Sequence, residues 1–178
     1  KLHLAAIRNF FDRLVMRHAI VFNPALSVKA PRYSTLEGKT PALSVPQARQ
    51  LLDAIETRTV VGLRDRAIIA TLIYTAARVG AVSKLRLKDF FPDGNQYLLQ
   101  LDEKGGKART IPARHDLQTY IEDYLRVAGI DTRQDDAPLF RTVIRKTKML
   151  TQRPMTGGDV LRMVKRRLTQ AGLPAKRL

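Results

Sequence analysis

The chain has 178 residues, 44% hydrophobic and 27% charged, a balance that supports a buried core and excludes wholesale disorder. Lysine and arginine number 32 against 16 aspartate and glutamate, and the formal net charge of +16 points to a polyanionic partner, nucleic acid first and an anionic membrane surface second. Cysteine is absent and the three histidines (His3, His18, His115) are far apart, which excludes disulfides and thiol nucleophiles and argues against a metal site.

The positive charge is uneven. Residues 101–140 carry a net −2, whereas residues 141–178 hold eleven basic groups and one acidic, a candidate phosphate-contacting surface. Self-repulsion there is uncompensated, although a solvated basic face is the plain alternative. No apolar run approaches the ~18 residues that cross a bilayer. With no leader peptide before the first helical pattern, a soluble cytoplasmic protein is expected.

In chain order, Leu4, Ile7, Phe10, Phe11, Leu14 and Val15 recur at three- and four-residue spacing and predict an amphipathic helix. Asn23-Pro24 ends the next short element. The run from Lys29 to Pro41 reads as a linker region. A second unit starts at Ser44, with Gln47 at capping-box spacing and Pro46 in the first turn. A longer helix is expected from about Leu63 to Ala77. Leu85 and Leu87 alternate with Arg86 and Lys88, a short half-buried stretch, and Pro92-Asp93-Gly94-Asn95 is a turn signal. Residues 97–101 and 108–112 read as two strands joined by a Gly-Gly turn that has Lys104 and Lys107 on its flanks. A helix follows from about His115 to Ala128, stopped by Gly129. Pro138-Leu139-Phe140 is an apolar anchor, and residues 141–155 read as basic and irregular. Thr156 caps a last helix with Asp159 in its first turn, an apolar stripe of Val160, Leu161, Val164 and Leu168, and a basic remainder. The expected class is mainly α with a small antiparallel β-sheet (α+β).

Two features carry chemistry. Arg78 stands at the end of an apolar helix among small residues, where a bulky ligand can approach its planar fork; that fork suits two non-bridging phosphate oxygens. Read alone, its spacing favours an arginine paired with a carboxylate or snorkelling from a core helix. Lys104, on a tight turn, can contact a phosphate or act as a general acid near a leaving oxygen; alone, it is also an ordinary surface lysine. The chain has neither Gly-x-x-x-x-Gly-Lys-Ser/Thr nor Gly-x-Gly-x-x-Gly, so no nucleotide cofactor is expected.

Taken in order, Leu63-Arg-Asp-Arg-Ala67, Thr75-Ala-Ala-Arg78, Leu85-Arg-Leu-Lys-Asp89 and Lys104-Gly-Gly-Lys-Ala-Arg-Thr-Ile-Pro112 resemble the tyrosine recombinase (phage integrase) family. The opening Leu4-Ala-Ala-Ile-Arg-Asn-Phe-Phe11 and the Asn23-Pro24-Ala25 region resemble the end of that family's helical core-binding domain. On this resemblance residues 1–33 belong to a DNA-binding helical domain, 34–43 to a linker, and 44–178 to the first part of a catalytic domain. The resemblance implies DNA strand exchange through a 3′-phosphotyrosine intermediate, which conserves bond energy and requires neither ATP nor a metal. Arg78 matches the family's first catalytic arginine, which stabilises charge on the phosphoryl oxygens. Lys104 matches the hairpin lysine that protonates the departing 5′ oxygen, with Lys107 the fallback because the turn aligns two ways.

The sequence departs from the pattern at Ala81, where the family usually has an acidic partner for the arginine. The family's His-x-x-Arg motif and nucleophilic tyrosine are expected just beyond Pro174-Ala-Lys-Arg-Leu178, and none of Tyr33, Tyr74, Tyr97, Tyr120 and Tyr124 has a matching context. The expectation is therefore a segment of an integrase that binds double-stranded DNA, self-associates on it as the family's tetramers do, and does not cut by itself. The alternatives are a non-enzymatic DNA-binding or regulatory module and, more weakly, an anionic-membrane binder, for which the basic helix lacks Trp and Phe on its apolar face.

Overall fold

The computed structural model describes residues 2–30, 42–103, 106–144 and 146–175. They fall into two units, Lys1–Lys39 and Thr40–Leu178. Of the expected linker at 34–43, all but Ala42 and Leu43 lies outside the described residues.

In the first unit, helix α1 (Leu2–Met16) buries no residue of its own. Polar stitching holds the following segment to it. Arg8 donates from Nε to the Ala25 carbonyl (3.1 Å) and from Nη2 to that of Val28 (2.6 Å). Buried Asn23 donates to the Asp12 carboxylate (2.7 Å) and the Arg8 carbonyl (3.0 Å).

The second unit is built around one helix. Helix α2 (Val45–Asp53) starts with the Ser44–Gln47 capping box foreseen in the sequence. Helix α3 (Val60–Thr75) is capped by Thr59, whose hydroxyl accepts from the Gly62 N–H (3.1 Å). It therefore begins three residues before the expected Leu63. It also stops short of Ala77, because Ala76 takes a left-handed φ of 50°. Thr71 and Thr75 at that end bond back to the carbonyls of Ala67 (2.8 Å) and Thr71 (2.6 Å), and the Thr75 hydroxyl accepts from the Ala77 N–H (3.2 Å). This local competition for backbone groups favours ending the helix there. α3 has no exposed residue: Ala67, Ile68 and Ala70 are fully buried, and its charged residues Arg64 and Asp65 are buried too, where they need partners. A short helix α4 (Val79–Val82) follows after three linking residues, Ala76, Ala77 and Arg78. The stretch from Leu85 is half-buried as expected: both leucines are buried while Arg86 and Lys88 are exposed, the Arg86 backbone bridges to Pro138, and residues Leu87–Asp89 form a 3-10 turn.

Strands β1 (Phe90–Asp93), β2 (Gln96–Glu103) and β3 (Lys107–Pro112) form an antiparallel sheet in that order. β1 was not anticipated; Pro92 masks it, and an edge strand is where a sheet tolerates proline. In the β2–β3 register Leu99 faces Ile111 and Leu101 faces Arg109. Helix α5 (His115–Ala128) ends on Gly129, whose φ of 60° suits a residue without Cβ. Residues 141–155, expected to be irregular, contain a two-stranded ribbon, β4 (Arg141–Val143) and β5 (Leu150–Pro154). Its few apolar residues give no alternating signal; the preceding Leu139 and Phe140, both buried, anchor it instead. Helix α6 (Gly157–Gln170) has the Thr156–Asp159 capping box. Its buried stripe is Val160, Met163 and Leu168, whereas Leu161, expected in that stripe, is 39% exposed. The helix is rotated so that Arg167 turns inward as well, toward buried Asp65. Among the described residues no helix is long and apolar enough to cross a membrane.

Candidate functional site

Arg78 is not on the apolar helix itself. It follows the left-handed Ala76 and buried Ala77, and it occupies the N-cap position of α4 with extended backbone angles (φ −67°, ψ 142°). Its side chain does not cap that helix, and the residue is exposed. Buried α3 fixes one end of the 76–78 link. Ala81, the position where an acidic residue was noted as missing, is buried in α4.

Lys104 lies outside the described residues, as does the Lys107 side chain. The return arm of their hairpin is described, and it comes to the Arg78 link. Arg109 Nη2 donates to the carbonyl of Thr75, the last residue of α3 (3.0 Å). Three features of the sequence place it there. Arg109 lies five residues after Lys104 on β3, opposite fully buried Leu101, on the same face as Ile111 and Leu99. Its side chain starts beside that apolar face but the residue is exposed, so its charged end can reach a polar partner. A helix C-terminus, with unsatisfied carbonyls and partial negative charge, is a suitable one. Arg109 was overlooked because the motif was read for its lysines; the strand alternation was the available signal.

A second tie fixes the same end of α3. The Tyr74 hydroxyl donates to Asp116 Oδ2 (2.6 Å) at the start of α5. Arg114 reaches Asp116 Oδ1 (3.2 Å) and stacks over the Tyr74 ring, 4.8 Å from its centroid. Partial burial, and then the bond to Asp116, push the Tyr74 hydroxyl up to about 12. Burial alone would raise the Asp116 carboxyl. The bonds from Tyr74, Arg114 and the Leu117 N–H outweigh it and hold the group below the usual carboxylate range.

The other described tyrosines are committed elsewhere. Tyr97 stacks on Phe90 (4.6 Å between centroids), and Tyr120 lies under the Arg66 guanidinium (4.3 Å). Tyr124 is fully buried and pushed above the ordinary phenol range by that burial. Tyr33 lies outside the described residues. Each described tyrosine is thus engaged in a hydrogen bond or a ring contact. The described residues also hold no group of three His, Asp or Glu side chains able to bind a metal ion.

The mainly helical unit with its small antiparallel sheet, and the Arg78 link held against the sheet's hairpin, define the tyrosine recombinase catalytic-domain fold. A lambda integrase dimer bound to a COC′ core site has this fold, with a TM-score of 0.68 at 18% identity over 98% of this chain and 56% of that one. A lambda integrase tetramer bound to a Holliday junction gives a TM-score of 0.66 at 18% identity, over 98% of this chain and 46% of that one. The phage integrase family pattern matches residues 42–177, and the chain belongs to that family. The tyrosine recombinase XerC of Pelobacter propionicus is 34% identical over 138 residues, which are 77% of this chain and 43% of that protein. The chain thus spans less than half of this curated relative's length.

Proposed function

We propose that the chain is the DNA-binding and arginine-bearing part of a site-specific DNA recombinase or integrase. The substrate is double-stranded DNA, and the reaction of the whole protein is cleavage and rejoining through a 3′-phosphotyrosine bond. Arg78 stabilises charge developing on the scissile phosphate. Lys104, or Lys107 in the alternative alignment, protonates the departing 5′ oxygen. Each transesterification exchanges one phosphate ester for another, so the energy of the bond is retained and no nucleotide triphosphate is consumed.

The observation that carries this reading is the Arg109–Thr75 bond, which ties the arm of the lysine hairpin to the link that presents Arg78. The bond supports a guanidinium from the Arg78 link and an ammonium from the hairpin acting on one phosphodiester, since Arg109 is only five residues from Lys104 and Thr75 only three from Arg78. The net charge of +16 supports a polyanionic substrate. The family's DNA-bound dimers and tetramers support assembly of the whole protein on its site. This chain binds the duplex without cutting it, because its described tyrosines are engaged in packing or hydrogen bonds.

A suicide-substrate assay tests the reading. The whole protein traps a covalent DNA adduct, and Arg78→Ala lowers the trapping rate by about 10² to 10³-fold. The 178-residue chain forms no adduct but binds duplex with an affinity that falls steeply with salt. Near-normal trapping by Arg78→Ala overturns the site. Failure of the whole protein to form any adduct, together with salt-sensitive duplex binding, favours a non-enzymatic DNA-binding module.

A further inference from the structure

α3 and α6 enclose an imbalance of charge away from the Arg78 link. Asp65 is fully buried and accepts from three guanidiniums. Arg64 gives Nε and Nη2 (3.2 and 2.7 Å), Arg166 gives Nη2 (3.0 Å), and Arg167 gives Nε and Nη2 (3.0 and 2.8 Å). The carboxylate neutralises one of the three. Arg64 and Arg167 are only 3% and 14% exposed, so water does not screen the excess well. Arg64 Nη1 also donates to the carbonyl of Arg141 (2.8 Å), a further buried arginine whose Nη2 has no hydrogen-bond partner.

A cleft of about 760 Å³ opens onto this cluster. Arg64, Arg166 and Arg167 line it, joined by Arg162 from α6 and Lys148 from the β4–β5 connection. Among the described residues the lining has one carboxylate, Asp159, already bonded to Thr156 and Arg162. Three guanidiniums preoriented by one carboxylate, Arg64 and Arg167 shielded from water and Arg166 half exposed at the opening (53%), form a site for a compact, multiply charged oxyanion.

We propose that this cleft is a second phosphate-binding site, separate from the one at Arg78. Its ligand is a phosphate group, and the source we assign is a DNA backbone phosphate flanking the reacting one. The assignment to DNA rests on the functional reading above; the anion site does not. The exposed rim cations, Arg162 (75% exposed) and Lys148, suit a polymer that passes over the opening.

The 178-residue chain is titrated calorimetrically with inorganic pyrophosphate and with a mixed-sequence duplex. Lys148→Met/Arg162→Met removes two exposed rim charges. Arg126→Met/Arg133→Met, exposed and outside the cleft, is the charge-matched control. The wild type is expected to show one saturable pyrophosphate site. The rim variant weakens it about tenfold or more, and the control leaves it within about twofold. The rim variant also weakens duplex binding and lowers its salt slope by about 1 to 2. Absence of saturable pyrophosphate binding by the wild type, or equal weakening by the control, overturns the site. Loss of pyrophosphate binding with unchanged duplex affinity overturns DNA as the source and assigns a free anion. Pyrophosphate binding in a chain that ignores duplex refutes the recombinase reading and leaves the cleft intact.

Discussion

Arg109→Met breaks the tie between the lysine hairpin and the Arg78 link with little other damage. Methionine keeps the strand register opposite Leu101 and much of the aliphatic packing. It removes the donor to the Thr75 carbonyl. A hydrogen bond from a charged group is worth about 1.5–3 kcal/mol. Arg109 is an exposed residue, and solvent screening reduces its share to about 1–2 kcal/mol. If the bond positions Arg78, that energy appears as about 5- to 30-fold slower strand cleavage by the whole protein. Duplex affinity stays within about twofold. Single-turnover cleavage on a suicide substrate reads the rate, and a double-mutant cycle reads the mechanism. In an Arg78→Ala background Arg109→Met adds no further loss, because the group it positions is gone. Arg109→Lys keeps a cation at the C-terminus of α3 and recovers part of the rate. Full additivity of the two substitutions refutes positioning. So does a loss of affinity in Arg109→Met with a salt slope lower by about 1, which identifies a direct phosphate contact.

Asp65→Asn leaves three guanidiniums around a neutral amide, and the 178-residue chain is expected to lose about 3–5 kcal/mol of stability in urea denaturation. A loss under about 1 kcal/mol refutes the role of Asp65 as the clamp between α3 and α6. Burial and the Asp116 bond raise Tyr74 to about 12 in the folded chain. Its stabilising contribution is therefore complete below the unfolded phenol value of ~10 and is lost as pH rises from there toward the folded value. Asp116→Asn brings the Tyr74 transition back toward the ordinary value in a tyrosinate absorbance titration; an unmoved transition refutes the assignment. Hydrogen bonds from the Thr156 hydroxyl and N–H, then Arg162, hold the Asp159 carboxyl below its usual range. That contribution is present above the unfolded carboxylate value and is lost as pH falls through the folded one. Thr156→Ala costs about 1 kcal/mol in urea denaturation at neutral pH.

Elements with local signals were legible in the sequence. The Ser44–Gln47 and Thr156–Asp159 boxes and the Gly129 stop are set by hydrogen bonds within one turn, and each lies where the spacing puts it. Elements defined by distant partners were not. β1 contains Pro92 and exists because β2 pairs with it; β4 and β5 hold one another with little apolar alternation. The rotation of α6 has the same origin. Its stripe was read as Leu161 on the apolar side and Arg167 on the wet side, but buried Asp65 on α3 draws Arg167 inward. Sequence spacing does not record a carboxylate 102 residues away. Of the site, Arg78 and the hairpin were legible as motifs; the Arg109 bond that relates them required the β2–β3 register and the end of α3 together.

α3 links the two cationic regions mechanically. Most of its residues are buried in the core, so it does not rotate or slide without breaking that packing. Arg64 lies near its start, at the cleft, and Thr75 at its end delivers the link to Arg78. Eleven residues separate them, about 16 Å at the α-helical rise. Along one DNA strand, phosphates advance about 3.4 Å per step on the helix axis. Phosphates of one strand held at the two ends of α3 are then about five steps apart at most when helix and duplex run parallel, and fewer when they are inclined. A rigid spacer of this length transfers register: seating a flanking phosphate among the arginines around Asp65 restricts which phosphodiester can reach Arg78. A purely electrostatic attraction by dispersed surface charge has no such effect, since it raises local DNA concentration without choosing among phosphates. On the proposed reading the buried carboxylate therefore serves placement as well as packing, by holding Arg166 and Arg167 of α6 against Arg64 at the start of the helix whose far end leads into the Arg78 link.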